Sequence, residues 1–185
     1  MLYTKKGDDG KTSAFACDQR FSKSSAIAEA LGSLDETNSF LGVIKSKINQ
    51  GQTLNLQKGL TLISIIQEMQ ENLFIIQAEV AGAEKIIGEE KIREAEDLIA
   101  GIEKEIPPIT SFIISGVSLE SAELDFVRTL ARKAERRVVA VAEEGLVKVS
   151  LNTLAYLNRL SSLLFALARL SAHKSGINEQ SPSYE

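Results

Sequence analysis

The sequence predicts an all-α protein, an antiparallel bundle of four or five long helices. Three observations carry this expectation. Ala, Leu, Ile and Glu are abundant, and the 185 residues hold three prolines and no tryptophan. Apolar residues recur at three- and four-residue spacing from Ser24 onward. Gly51, Gly82, Gly88, Pro107-Pro108 and Gly145 punctuate the chain between periodic stretches.

Residues 1–23 are polar and read as irregular, with glycines at Gly7 and Gly10. Ile27, Leu31, Leu34, Asn38, Leu41 and Ile48 form the first helical series, with Ser24 or Ser25 as N-cap and Gly51 as its end. A second series runs through Leu56, Leu60, Ile63, Ile66, Leu73, Ile76 and Val80, where Met69 and Phe74 read as core. Ile92, Ala95, Leu98, Ile99 and Ile102 mark a shorter amphipathic helix, and the acids between Glu84 and Glu105 give it a solvated face. Pro107-Pro108 ends helix formation, and ITSFIISG reads as an extended connector. The next helix covers about 119–144, and the last about 150–173. Its leucines at 151, 154, 157, 160, 163, 164 and 167 lie nearly all around, as in a helix buried within a bundle or an oligomer. The tail SGINEQSPSYE reads as flexible from residue 174 onward. With no repeat evident, residues 1–185 read as a single domain.

The net charge of −4 argues against general nucleic-acid binding, which needs a broad basic surface. No stretch is long and apolar enough to span a membrane, and MLYTKKGDDG lacks the apolar core of a signal peptide. The single cysteine, Cys17, leaves no internal disulfide or cysteine-rich zinc site and reads as an ordinary thiol in a reduced, cytoplasmic setting. The one histidine, His173, sits near the tail, so a histidine base or a di-iron Glu-x-x-His site is not expected.

Against this acidic background, residues 128–137 hold five bases and one acid: Arg128, Arg132, Lys133, Glu135, Arg136 and Arg137. Around a helix axis Arg132 lies about 40°, Glu135 about 20° and Arg136 about 80° from Arg128, while Lys133 and Arg137 face away. Leu124, Val139 and Ala142 continue the same stripe, so it reads as a charged island on a packed helix, suited to an anion that needs several guanidinium donors.

GDDGKT at Gly7–Thr12 is a second candidate. Its glycines let backbone amides converge on an anion, and Lys5, Lys6, Lys11, Arg20 and Lys23 supply charge. It lacks the spacing of a Walker loop, and a plain exposed turn would use the same residues. Asp35 and Asn38 share the stripe of Leu31 and Leu34, where a carboxylate requires a partner, and Arg128 is the obvious supplier. Asn158 and Ser162 share a stripe of the last helix, where they can bond a ligand or a neighbouring helix; Arg159 lies about 100° away. These residues alone describe a helical bundle that positions a nucleotide or polyphosphate, with no protein nucleophile in view.

Five motifs, in this order, resemble the PduO-type ATP:cob(I)alamin adenosyltransferases: YTKKGDDGKT at Tyr3–Thr12, QRFSK at Gln19–Lys23, GSLDETNSFLG at Gly32–Gly42, RTLARKAERRVV at Arg128–Val139 and YLNRLSSLLF at Tyr156–Phe165. The resemblance implies an up-and-down bundle of five helices, assembled as a homotrimer with sites between subunits. It implies transfer of the 5′-deoxyadenosyl group of ATP to the cobalt of a reduced corrinoid, with release of triphosphate. A non-enzymatic helical trimer that binds nucleotide or carries a corrinoid to a partner protein is the alternative reading. By position, Thr4, Gly7, Asp8, Asp9, Gly10, Lys11, Thr12 and Lys23 would wrap the triphosphate. Arg132, Glu135 and Arg136 would hold ATP and its magnesium, with Glu135 on the metal and Asn158 on the nucleotide side. Arg128 would pair with Asp35 across the subunit boundary, and Phe112 would lie under the corrin, excluding the lower axial ligand. A flavin-type reductase or a cobalamin-dependent enzyme is the kind of protein partner implied. Two positions depart from the family pattern: Ser115-Gly116-Val117 replaces a Pro-Gly-Gly-like turn, and Leu160-Ser161-Ser162 replaces Leu-Ser-Asp.

Overall fold

A computed structural model describes residues 3, 5–13, 20–48, 59–145 and 147–184. Among them are five helices: α1 (Ala26–Ile48), α2 (Leu62–Val80), α3 (Glu89–Glu103), α4 (Leu119–Glu144) and α5 (Leu151–Lys174). Local chemistry sets their starts. The Ser25 hydroxyl accepts from the Ala28 amide at α1. Thr61 with Ser64, and Ser118 with Ser121, form reciprocal capping boxes at α2 and α4, and the Ser150 hydroxyl accepts from the Thr153 amide at α5. Gly145 stops α4 in the left-handed region, with φ 69° and its amide on the Ala142 carbonyl.

Side-chain pairs between helices fix their directions. Glu29, Glu36 and Lys47 of α1 meet Arg137, Lys133 and Glu123 of α4, so these two run antiparallel. Asp125 with Arg169, and Glu135 with Asn158, make α4 and α5 antiparallel. Glu96 with Arg159, and Glu105 with Lys174, make α3 and α5 parallel. Helix direction therefore alternates along the chain, while α4 lies between α1 and α5, with α2 against α1 and α3 against α5. The core joins Leu34, Leu41 and Ile44 of α1, Ile66, Leu73 and Ile76 of α2, Val127, Ala131 and Val138 of α4, and Leu157, Leu164 and Leu167 of α5. Each large aliphatic side chain removed from water here contributes about 1.5–3 kcal/mol.

Several expectations need correction. The N-terminal segment contains a short antiparallel ribbon, β1 (Lys11–Ser13) and β2 (Arg20–Ser22), with Thr12 opposite Phe21. Three-residue strands are too short to show an alternating pattern. Leu60 precedes α2 and is exposed; Phe74 is exposed, whereas Met69, on the other side of α2, is buried; Leu151, on the first turn of α5, is exposed. The tail is docked rather than loose. Glu179 lies 2.6 Å from Arg169, the Gln180 carbonyl accepts from the Ile114 amide at 2.8 Å, and the Ser111 and Ser181 hydroxyls are 2.7 Å apart. Polar composition concealed this because the tail is held by charge and backbone rather than by an apolar face. Leu56, Gly51 and Cys17 lie outside the described residues. No described helix is long and apolar enough to cross a membrane.

Candidate active site

Arg132, Glu135, Arg136 and Val139 of α4, with Asn158 of α5, line one open pocket of about 380 Å3. Ala131, Ala134 and Val138 are buried on the adjoining face of α4, which leaves the charged stripe along the edge where α5 crosses. The Asn158 amide nitrogen donates to Glu135 Oε1 at 3.2 Å. Its amide oxygen accepts from Arg159 Nη1 at 2.8 Å, and Arg159 Nε donates to Glu96 Oε1 at 2.8 Å. This chain of bonds from α3 through α5 to α4 fixes which way the Asn158 amide faces. Arg159, hard to place from its angle, is thus a support for Asn158. The two bases assigned to the far side leave the pocket: Lys133 binds Glu36 at 2.5 Å and Arg137 lies 3.6 Å from Glu29, both on α1.

The Gly7–Thr12 loop is closed by its own side chains. Arg20 forks onto Asp9, with Nη2 at 2.8 Å from Oδ1 and Nη1 at 3.1 Å from Oδ2, and also donates to the Lys6 carbonyl. The Lys11 amide donates to Asp9 Oδ1 at 3.1 Å; this bond and the Arg20 guanidinium hold the Asp9 carboxyl below its ordinary range. Lys23 Nζ donates to the Gly7 carbonyl at 2.7 Å, and its amide to the Gly10 carbonyl at 2.9 Å. Gly10 has φ 78°, which favours glycine at that position. Of the expected anion-binding charges, Arg20 is therefore a structural clip. Asp8 and Lys11 are exposed and Thr12 is half-buried. None of these loop residues lines the α4–α5 pocket of the same chain. Thr4 lies outside the described residues.

Asp35 and Arg128 are not joined within the chain. Asp35 is exposed rather than on the buried stripe, while Asn38 is buried. Arg128 Nε instead donates to Asp125 at 3.1 Å, one turn back on α4. Asp125 also receives the buried Arg169, and the guanidiniums of Arg128 and Arg169 lie 5.8 and 5.1 Å from the Phe165 ring centre. A buried carboxylate demands cations, and Asp125 takes the near ones. Sequence reasoning missed both Asp125 and Arg169. They are 44 residues apart, and the signal was a charge inside each apolar run, at positions otherwise flanked by Leu124 and Leu170. Among the described residues, Ser162 donates to the Asn158 carbonyl of its own helix at 3.4 Å. Phe112, on the connector, is 80% exposed and does not line the pocket.

The family model described as cobalamin adenosyltransferase matches residues 2–171. The chain belongs to that family. Among relatives, the corrinoid adenosyltransferase PduO of Citrobacter freundii is 36% identical over 179 residues, covering 93% of this chain and 50% of that protein. A second corrinoid adenosyltransferase of Citrobacter freundii is 34% identical over 176 residues, covering 91% of this chain and 93% of its own. The corrinoid adenosyltransferase MMAB of Bos taurus is 32% identical over 189 residues, covering 97% and 74%. The chain thus spans about half the length of the PduO relative and nearly all of the second. Among solved structures, a Phe-to-His variant of a PduO-type ATP:corrinoid adenosyltransferase from Lactobacillus reuteri, complexed with cobalamin and ATP, superposes with a TM-score of 0.87. It is 26% identical and covers 100% of this chain and 97% of its own. An Arg-to-Lys variant complexed with ATP gives a TM-score of 0.85 at 27% identity, covering 98% and 100%.

Proposed function

We propose that this chain transfers the 5′-deoxyadenosyl group of ATP to the cobalt of a reduced corrinoid, releasing inorganic triphosphate. The observation that carries the reading is the pocket in which Arg132, Glu135, Arg136 and Asn158 converge, in a chain of the cobalamin adenosyltransferase family. The cobalt of the substrate, as Co(I), supplies the electron pair. A bond forms from cobalt to C5′, the C5′–O bond breaks, and its electrons leave on the triphosphate. No protein nucleophile and no proton transfer is required, in keeping with a pocket whose lining, among the described residues, holds no cysteine, serine or histidine. What the residues supply is placement and charge. Arg132 and Arg136 sit where a departing triphosphate gathers negative charge, as donors already in position. Asn158, held by Arg159 and Glu135, orients the nucleotide so that C5′ faces the metal.

Glu135 is a single half-buried carboxylate beside two arginines, and no group of three acids, histidines or cysteines gathers among the described residues. That donor set fits a magnesium held mainly by phosphate and water, with Glu135 as its one protein carboxylate. When bound, the ion neutralises part of the triphosphate charge. The separation of the glycine loop from the α4–α5 pocket supports a homotrimer in which one chain's loop closes over another chain's pocket, and Arg128 meets the partner subunit's Asp35. Phe112 takes the corrin side, in a cytoplasmic setting where a flavin-type reductase can deliver electrons.

Anaerobic incubation with ATP, magnesium and chemically reduced cobalamin tests the reading. The alkyl-cobalamin spectrum should appear with one triphosphate per product. A folded chain that binds ATP and gives no product would overturn the enzyme reading in favour of a carrier.

A further inference from the structure

The connector that bears Phe112 has no helix or strand to hold it. Among the described residues, the one backbone–backbone hydrogen bond made by residues 107–117 is from the Ile114 amide to the Gln180 carbonyl, at 2.8 Å. Three residues earlier the Ser111 hydroxyl meets the Ser181 hydroxyl at 2.7 Å. Phe112 stands between these two clasps, with its ring in solvent. Both clasps come from the tail, and the tail is itself pinned one residue before, where the Glu179 carboxylate lies 2.6 Å from Arg169 Nη1.

Arg169 is an anchor that cannot move easily. It is 3% exposed, it is paired with the equally buried Asp125 of α4, and it stacks on Phe165. Asp125 carries a single charge and is already shared with Arg128. Two guanidiniums therefore face one carboxylate until Glu179 arrives, and Glu179 completes a neutral set of two cations and two anions. A pair of this kind, largely shielded from water, holds its geometry better than an exposed one.

From this arrangement we infer that Glu179–Ser181 form a latch that sets the position of Phe112, with Glu179 as a positioning residue for the corrinoid. The inference rests on the reading that Phe112 faces the corrin. The latch acts on Phe112 through the Ser111 and Ile114 contacts of the connector. It shares no residue with the pocket of Arg132, Glu135, Arg136 and Asn158, so its loss separates the two substrates. Glu179 acts on the corrinoid and leaves ATP alone.

Two variants test this: Glu179→Gln, and a chain ending at Gly176. In steady-state assays the corrinoid KM should rise about tenfold in both, the order of effect of a broken, partly shielded ion pair, while the ATP KM stays within about twofold. The absorption and electron paramagnetic resonance spectra of bound cob(II)alamin with ATP should shift away from the form lacking its lower axial ligand. Unchanged corrinoid KM and spectra in both variants would overturn the latch, as would equal increases in both KM values, which mean general damage. Hydrogen exchange supplies a readout independent of turnover: the Ile114 amide should exchange faster in Glu179→Gln, while amides in α4 and α5 hold. If the unaltered chain makes no product, the adenosyltransferase reading fails, and unchanged exchange at Ile114 then removes the latch separately.

Discussion

At the scale of single residues, the charged segment of α4 divides by partner. Arg132 and Arg136 border the pocket with Glu135, whereas Lys133 and Arg137 are taken up by Glu36 and Glu29 of α1. Arg132→Ala or Glu135→Gln should lower kcat/KM on the order of 100-fold, the usual effect of losing a donor or metal ligand at a charged transition state. Lys133→Ala and Arg137→Ala remove exposed ion pairs and should change it by no more than about twofold. Parallel assays on the four variants check the division; equal losses would refute it. This division was legible because α4 is regular over its whole length, so that angle around the axis decides facing. Within the chain Arg128 turns to Asp125, one turn back on α4, a neighbour that the three-residue spacing offers as readily as Asp35, whose expected pairing lies across a subunit boundary.

At the scale of elements, the starts and ends of α4 and α5 were readable from Ser118, Gly145 and Ser150, whose chemistry is local. The β1–β2 ribbon and the docked tail were not, since each depends on contacts from elsewhere in the sequence. The buried bond between α2 and α5 was also unreadable: Asn72 Nδ2 donates to the Tyr156 hydroxyl at 3.0 Å, 84 residues away. Burial pushes the Tyr156 phenol up from 10.0 to about 12. The folded chain then keeps a proton that the unfolded chain loses from pH 10 upward. Stability from this group is full below pH 10 and is lost as pH rises towards 12, by roughly 2–3 kcal/mol in all. Tyr156→Phe removes that dependence but leaves the Asn72 amide unpaired, at a cost of about 1–3 kcal/mol near neutrality. Urea midpoints should therefore favour the native residue clearly at pH 7 and converge at high pH. A gap that stays constant with pH would mean the phenol does not titrate as its burial requires.

At the scale of the whole molecule, one chain keeps the α4–α5 pocket, the glycine loop and the Phe112 connector apart. Arg132 lies roughly 20 Å down α4 from its first residue, Leu119, at 1.5 Å per residue, and the connector with Phe112 leads into that first residue. The glycine loop is closed on itself by Arg20 and Lys23, and none of its residues borders the pocket. If neighbouring chains in a trimer complete one another, the loop and the pocket of each site belong to different chains. Lys23→Ala would then spoil sites on one side of a boundary, and Arg132→Ala those on the other. Each variant alone should be nearly inactive. Unfolded together and refolded as an equal mixture, they should recover about a quarter of full activity, because a boundary has an even chance of an intact loop and an independent even chance of an intact pocket. A site built within one chain predicts no recovery at any mixing ratio, since every chain then carries one defect. Activity as a function of the mixing ratio separates the two further: shared sites give a curve that peaks at equal amounts and falls to zero at both ends.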